Sequence, residues 1–287
     1  MPSNLDFAVV EMGANHQGEI QGYCEYTEPD YGLITNVGLA HLEGFGGFEG
    51  VVKGKTELYR FMARSGGTLF LNADNPILVQ KAHEAGFKND RIITYGTGEN
   101  VFCRGALIEE TMIGLKLEGT YIRTNLVGAY NFENVLAACC VAKYFGVSLQ
   151  NIKTAVENYV PTNQRSQQIT WGNNTVILDC YNANPTSMTV ALKSFAAMPD
   201  KEKIAILGGM KELGNETETA HTEIAEWCTK LGIRNVLFIG EEFRHVNIGK
   251  KFKDTSEAAQ WLKDNMPSQA LILVKGSRAY KLESIFC

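Results

Sequence analysis

The sequence predicts an α/β protein of two domains, each built on a mostly parallel sheet. Three observations carry that expectation. Short all-apolar runs bounded by polar residues or glycine recur along the chain, as in strands buried on both faces. Stretches of helical periodicity separate these runs, as crossover helices require. The chain is also about two domains long at 287 residues, and a polar stretch poor in large apolar side chains, residues 161–168, divides it.

The elements follow in order. Residues 7–10, Phe-Ala-Val-Val, read as the first buried strand, and residues 32–37, 68–71 and 91–95 as further strands. Helical patterns at 50–63 and 76–85 lie between them. The texture changes from 101 to 127, where strands at 114–117 and 121–124 flank Glu118-Gly119 as an antiparallel flap. Apolar residues at 132, 135, 136, 139 and 142 mark a helix over 131–145, closed by Gly146. Ser148 begins a second helix that runs to about 158. Beyond the polar stretch, strands 168–171 and 175–179 make a hairpin around Gly172-Asn173-Asn174. A regular series then alternates helix 187–197, strand 203–207, helix 218–231, strand 235–239, helix 256–265, strand 270–274 and helix 278–285.

Composition narrows the function classes. With 45% hydrophobic residues and a net charge of -5, bulk disorder is excluded and a largely electrostatic nucleic-acid binder is disfavoured. Seven cysteines without a CxxC pair favour neither a disulfide scaffold nor structural zinc, and point to a reducing, cytoplasmic setting. No apolar run reaches 18 residues and the start lacks a signal-peptide pattern, so membrane insertion is not expected.

In open α/β sheets ligands gather at the C-terminal ends of strands. Polar clusters fall at such ends: residues 11–19 with Glu11, Asn15 and His16; residues 35–46 with His41; residues 179–185 with Asp179, Tyr181, Asn182 and Asn184; and residues 275–278 with Lys275, Ser277 and Arg278. Glu11 and His41 are candidates for a magnesium site, against the alternatives of a loop carboxylate and a structural histidine. Arg165 is either a phosphate clamp or an interdomain ion-pair partner. Asp179 is either a turn cap or a group steering nucleotide. Asn131 and Asn134 share one face at a helix start, where Asn131 as a plain N-cap is the alternative. Lys275 to Arg278 place two cations and a hydroxyl at a strand-to-helix junction suited to an anion, or to ordinary capping. His221 reads as a packing histidine. Residues 50–56, GVVKGKT, imitate a phosphate-binding P-loop. They have three residues rather than four before Gly-Lys and lie in a helical pattern, so the motif is rejected and Lys55 reads as a solvated lysine.

Taken together, these strings resemble the ATP-dependent Mur ligases of peptidoglycan synthesis over essentially the whole chain. The resemblance rests on residues 11–20 (EMGANHQGEI), 35–36 (TN), 40–46 (AHLEGFG), 55–58 (KTEL), 71–74 (LNAD), 131–134 (NFEN), 179–185 (DCYNANP), 207–214 (LGGMKELG) and 274–278 (VKGSR). It implies a parallel-sheet central ATPase-type domain over residues 1–160 and a C-terminal Rossmann-like domain over 161–287. It also implies that the central domain is incomplete, its first strand and P-loop lying upstream together with a UDP-binding domain.

Residue by residue, the resemblance implies that Glu11 and His41 hold magnesium. Lys55 would join them as a carbamate formed with CO2, which reverses the solvated-lysine reading. Asn131, Asn134, Arg165, Asp179 and Tyr181 would face ATP. Lys275, Ser277 and Arg278 would handle the incoming peptide or the reacting groups, with Asn15, His16, Asn182 and Asn184 near substrate. The YNANP and KGSR strings point to joining D-alanyl-D-alanine to UDP-N-acetylmuramoyl-tripeptide, with ATP phosphorylating the acid's carboxylate before the amine attacks. A related ligase, another Mur ligase or one resembling folylpolyglutamate synthase, and a non-enzymatic binding fragment are the alternatives. By itself the chain is expected to be inactive, and surface exposed by truncation is expected to invite dimerisation. One departure stands out: the family reads Gly-Asp-Met where this chain has Gly208-Gly209-Met210, so a carboxylate is missing there.

Overall fold

The computed structural model describes residues 5–39, 41–108, 112–199 and 202–286. The chain divides into two compact units, Met1–Phe102 and Cys103–Cys287.

The first unit contains α1 (Glu19–Thr27), β1 (Tyr31–Leu33), α2 (Leu42–Phe45), α3 (Phe48–Lys55), α4 (Glu57–Ser65), β2 (Thr68–Asn72), α5 (Pro76–Glu84) and β3 (Ile92–Gly96). The three strands are parallel, in the order β1-β2-β3. Ile20 and Cys24 of α1, Leu58, Tyr59 and Met62 of α4, and Leu78 and Ala82 of α5 pack with Leu69 and Leu71 into one core. Their three- and four-residue spacings are those of a helix stripe against a sheet. Asn75 caps α5, its Oδ1 accepting from Leu78 N at 3.1 Å, with Pro76 in the first turn. The single helix expected over 50–63 is two helices parted at Thr56, whose Oγ1 donates back to the Val52 carbonyl at 2.8 Å. The hydroxyl shares that carbonyl with the Thr56 N–H, which donates to it at 3.0 Å, the back-bonding that bends helices. Residues 7–10 are not a strand. They are exposed coil, with Val9 99% accessible, because no described strand pairs with them.

The second unit begins with an antiparallel meander, β4 (Cys103–Ile108), β5 (Gly114–Leu117) and β6 (Thr120–Arg123), followed by α6 (Asn131–Tyr144) and α7 (Leu149–Asn158). Next come β7 (Gln167–Trp171), β8 (Asn174–Asp179), α8 (Pro185–Ala197), β9 (Lys203–Gly208), α9 (Thr217–Lys230), β10 (Asn235–Ile239), β11 (Lys250–Phe252), α10 (Thr255–Asp264) and β12 (Leu271–Lys275). The sheet order is β11-β10-β9-β12-β8-β7, parallel except for β7. Gly172, at φ 60, makes the tight β7–β8 turn.

Alternate strand residues feed two cores, which explains the unbroken apolar runs. Ile177, Leu207, Phe238 and Leu273 pack with α8 and α9 on one face. Leu178, Ile206, Ile239 and Val274 pack with α10 and the last residues of the chain on the other. The helix expected over 278–285 is two 3-10 turns, Arg278–Tyr280 and Leu282–Phe286, separated by Lys281 at φ 48. A left-handed residue cannot continue a right-handed helix. No described helix is long and apolar enough to cross a membrane.

Candidate functional site

In the second unit the polar groups converge where β8 and β12 end. Lys275 and Asp179 are register partners on these neighbouring strands. Lys275 Nζ lies 2.8 Å from Asp179 Oδ2, with side chains only 4% and 11% exposed. A buried ion pair is tolerable only when its remaining valences are hydrogen-bonded. Here Ser166 N donates to Asp179 Oδ1 at 3.3 Å and Tyr130 Oη donates to Oδ2 at 3.2 Å. Lys275 Nζ also reaches the Asp179 and Asn182 carbonyls, each at 3.4 Å. Ser166 is buried and holds φ 54, a left-handed conformation that non-glycine residues adopt at a cost.

Tyr130 Oη and Ser166 Oγ are 2.7 Å apart, and Asn131 Nδ2 donates to Ser166 Oγ at 2.8 Å. Burial, and then the Asp179 carboxylate, push the Tyr130 phenol far above its ordinary range, so it remains a proton donor. Asn131, Asp179 and Lys275 are thus brought into one network. Lys275 enters it as a satisfied cation, not as an unpaired acid or nucleophile.

The Arg165 guanidinium lies 4.4 Å from the Tyr181 ring centroid, and Tyr181 is 45% exposed. This pairing presents a cationic, planar surface suited to stacking or to anions. Arg278 Nη1 bonds Gln164 Oε1 and pairs with Glu283 at 3.0 Å. Ser277 Oγ accepts from Ala279 N at 3.4 Å, capping the first 3-10 turn. Asn184 caps α8 in a reciprocal box with Ser187, and Asn182 Oδ1 accepts from Ala183 N at 2.8 Å. Asn134 is exposed on α6, one turn beyond Asn131.

The first unit holds the candidates for magnesium. Glu11 is exposed in coil, and His41 occupies the N-cap of α2 at φ 54. Lys55 ends α3, and its Nζ donates to the Asn36 carbonyl at 3.1 Å. Burial holds the Lys55 amine below the ordinary lysine range. A larger neutral fraction follows, and the neutral amine is the form that reacts with CO2. Among the described residues no three His, Cys, Asp or Glu side chains gather as a metal cage. Lysine carbamate would bring the oxygen donors that magnesium prefers, which the Lys55 ammonium itself does not offer. Asn15 and His16 brace the chain locally, their backbone N–H groups donating to Glu19 Oε2 at 2.7 and 3.0 Å. A cleft of about 480 Å³ is lined by Gln17, Phe45, Glu49, Lys53, Arg60 and Lys81.

Residues 1–142 match the family model described as Mur ligase middle domain, and residues 164–278 that described as Mur ligase, glutamate ligase domain. The chain belongs to the Mur ligase family. The UDP-N-acetylmuramoyl-tripeptide--D-alanyl-D-alanine ligase of Escherichia coli K12 is 32% identical over 293 residues, which is 98% of this chain and 64% of that protein. Its Bacillus subtilis namesake is 29% identical over 99% of this chain and 64% of its own length. The crystal structure of MurF from Acinetobacter baumannii superposes with a TM-score of 0.82 at 26% identity, covering 95% of this chain and 62% of that one. The chain therefore spans just under two thirds of the length of these Mur ligases.

Sequence reasoning passed over three residues of this Mur ligase chain that the structure brings forward. Tyr130 and Ser166 are ordinary residue types whose roles arise from contacts 36 and 49 positions away. Glu57 is buried, and its carboxylate accepts from Gly18 N at 2.7 Å and Gln21 N at 3.0 Å, bracing the start of α1. Its signal was present in the KTEL string at residues 55–58, where Glu57 opens α4 just before the apolar Leu58 and Tyr59.

Proposed function

We propose that this chain carries the central and C-terminal parts of a cytoplasmic, ATP- and magnesium-dependent ligase that joins D-alanyl-D-alanine to UDP-N-acetylmuramoyl-tripeptide in peptidoglycan synthesis. The observation that carries the reading is the polar network at the ends of β8 and β12 in a chain whose Mur ligase relatives bear that activity in their names. Glu11, His41 and carbamylated Lys55 are the residues that would hold magnesium. The ion would supply Lewis-acid stabilisation of charge on transferring phosphoryl oxygens.

The chain's own residues do the rest. Asp179, fixed by Lys275, Ser166 and Tyr130, gives the end of β8 a single geometry, and Arg165 and Tyr181 flank it to receive nucleotide. Preorganised cations of this kind stabilise charge as it develops at phosphate and at a tetrahedral centre without reorganising during the step. Arg278 and Ser277, at the exit of β12, are placed to meet the incoming peptide.

The test is ADP release by a full-length form of the protein, with UDP-N-acetylmuramoyl-tripeptide and either D-alanyl-D-alanine or single amino acids as the amine. Release with the dipeptide supports the reading. Release only with glutamate, or none with any amine, overturns it.

A further inference from the structure

Two cysteines that play no part in the ligase reading meet inside the second unit. Cys103 opens β4 and Cys140 lies in α6 beside Cys139, and all three are buried. Residues two apart on a strand share a face, and residues four apart on a helix share a side. Cys103 and Gly105 form such a strand pair, both turned inward, and Leu136 and Cys140 such a helix pair. At Gly105 the helix comes so near that an added Cβ would stand 2.6 Å from Leu136 Cδ1 and 3.2 Å from Cδ2. The glycine thus lets α6 settle onto β4. One step along both elements, the side chains of Cys103 and Cys140 are hydrogen-bonded to each other.

We propose that Cys103 and Cys140 are a reversible redox pair, which a small hydroperoxide closes to a disulfide that ties β4 to α6. The Cys103 thiolate attacks one peroxide oxygen; the O–O bond breaks, Cys103 becomes a sulfenic acid and hydroxide leaves. That hydroxide takes the Cys140 proton and departs as water. The Cys140 thiolate then attacks the Cys103 sulfur, the S–O bond breaks, and the second hydroxide recovers the proton that Cys103 first released. In sum, two thiols lose two electrons and two protons, and one peroxide becomes two waters. The surroundings favour this order. The hydrogen bond from Cys140 holds the Cys103 thiol below its ordinary value against burial, and Lys143, one turn along α6, adds to the effect. The same bond, and then burial, push Cys140 upward, so the shared proton rests there. Burial drives other described cysteines the opposite way from Cys103: Cys139, Cys180 and Cys228 each to about 12, and Cys24 upward. Thiolate character selects the sulfur that is oxidised, which makes Cys103 the point of attack. Burial of both sulfurs admits a small oxidant and excludes one the size of glutathione disulfide. Because α6 opens with Asn131, which holds Ser166, the cross-link falls on a helix that serves the candidate site.

The test follows the thiols of the 287-residue chain in a few molar equivalents of hydrogen peroxide and reads no ligase activity. Two free thiols should disappear, and a non-reduced peptide map should join Cys103 to the peptide that holds Cys139 and Cys140. Dithiothreitol should reverse both changes. Cys139→Ala should still form the link. Cys140→Ala should not, and should instead leave a sulfenic acid at Cys103 that dimedone traps. Glutathione disulfide in place of peroxide should leave the thiol count unchanged. The map of the parent chain decides the matter even where a variant fails to fold. No link in the parent chain, a link that survives Cys140→Ala, earlier oxidation of other cysteines, or equal closure by glutathione disulfide overturns the proposal.

Discussion

Lys275 and Asp179 face each other across two adjacent parallel strands and close a 2.8 Å ion pair at the last residue of each. The pair is nearly dry, so its value lies in fixing the strand ends and not in net stability. Removing one partner leaves the other charged and buried. Lys275→Met should therefore cost about 3–5 kcal/mol in urea unfolding. Lys275→Met with Asp179→Asn should recover a substantial part of that loss. Equal stability of the single variant and the parent chain would contradict this account.

Tyr130→Phe removes one phenolic donor from the same carboxylate and leaves Ser166 N in place. A loss of about 1 kcal/mol is expected, since one neutral donor to a charged acceptor is withdrawn from a group still bonded by others. Ser166→Gly should cost no more, because glycine adopts the left-handed backbone freely. Denaturation midpoints at fixed m-value are the measurement.

His221 is fully buried; its Nε2 accepts from Met210 N at 2.9 Å, and its ring packs edge-on against Phe243. Burial holds its pKa below the ordinary histidine value of 6.5. The unfolded chain thus takes up a proton at a pH where the native one does not. Stability contributed by neutral His221 is complete above pH 6.5 and declines as pH falls below it. Thermal melts from about pH 7.5 to about pH 5 should show this decline, and His221→Gln should flatten the part of the slope that this group causes. An identical slope in the variant would refute the assignment.

A polypeptide of these 287 residues contains no GxxxxGK[ST] string. Without that cradle the triphosphate lacks its main backbone donors and its lysine. We expect no heat of binding for an ATP analogue with magnesium at micromolar protein, and no ADP above background. Under the same conditions Lys55 should stay an unmodified lysine, checked by NMR in 13C-labelled bicarbonate. A persistent carbamate resonance that Lys55→Arg abolishes would reverse this expectation.

The second unit was largely legible in the sequence because β8, β9, β10 and β12 are buried on both faces, which makes their apolar runs continuous. β11 was not legible: Lys250-Lys251-Phe252 buries only its last residue at the sheet edge. Residues 7–10 have the composition of a buried strand, yet composition cannot supply a neighbour to pair with. The 50–63 stretch keeps a helical period through Thr56, and only the back-bond to Val52 reveals the break. At the candidate site, charged residues in short strings were visible. Tyr130 and Ser166 were not, because their meaning depends on which distant backbone comes to rest beside them.

The break at Thr56 has a mechanical consequence for the first unit. On one side of it Lys55 grips the Asn36 carbonyl, in the segment that leads toward His41; on the other, Glu57 grips the N–H groups of Gly18 and Gln21, in the segment that follows Glu11. Two neighbouring rim segments are pinned to a single joint, one by a cation and one by an anion. Both segments are therefore anchored on the same three consecutive residues, 55–57. Neutralising Glu57 would weaken the first anchor, and carbamylating Lys55 would leave the second with a single uncharged N–H to offer the Asn36 carbonyl.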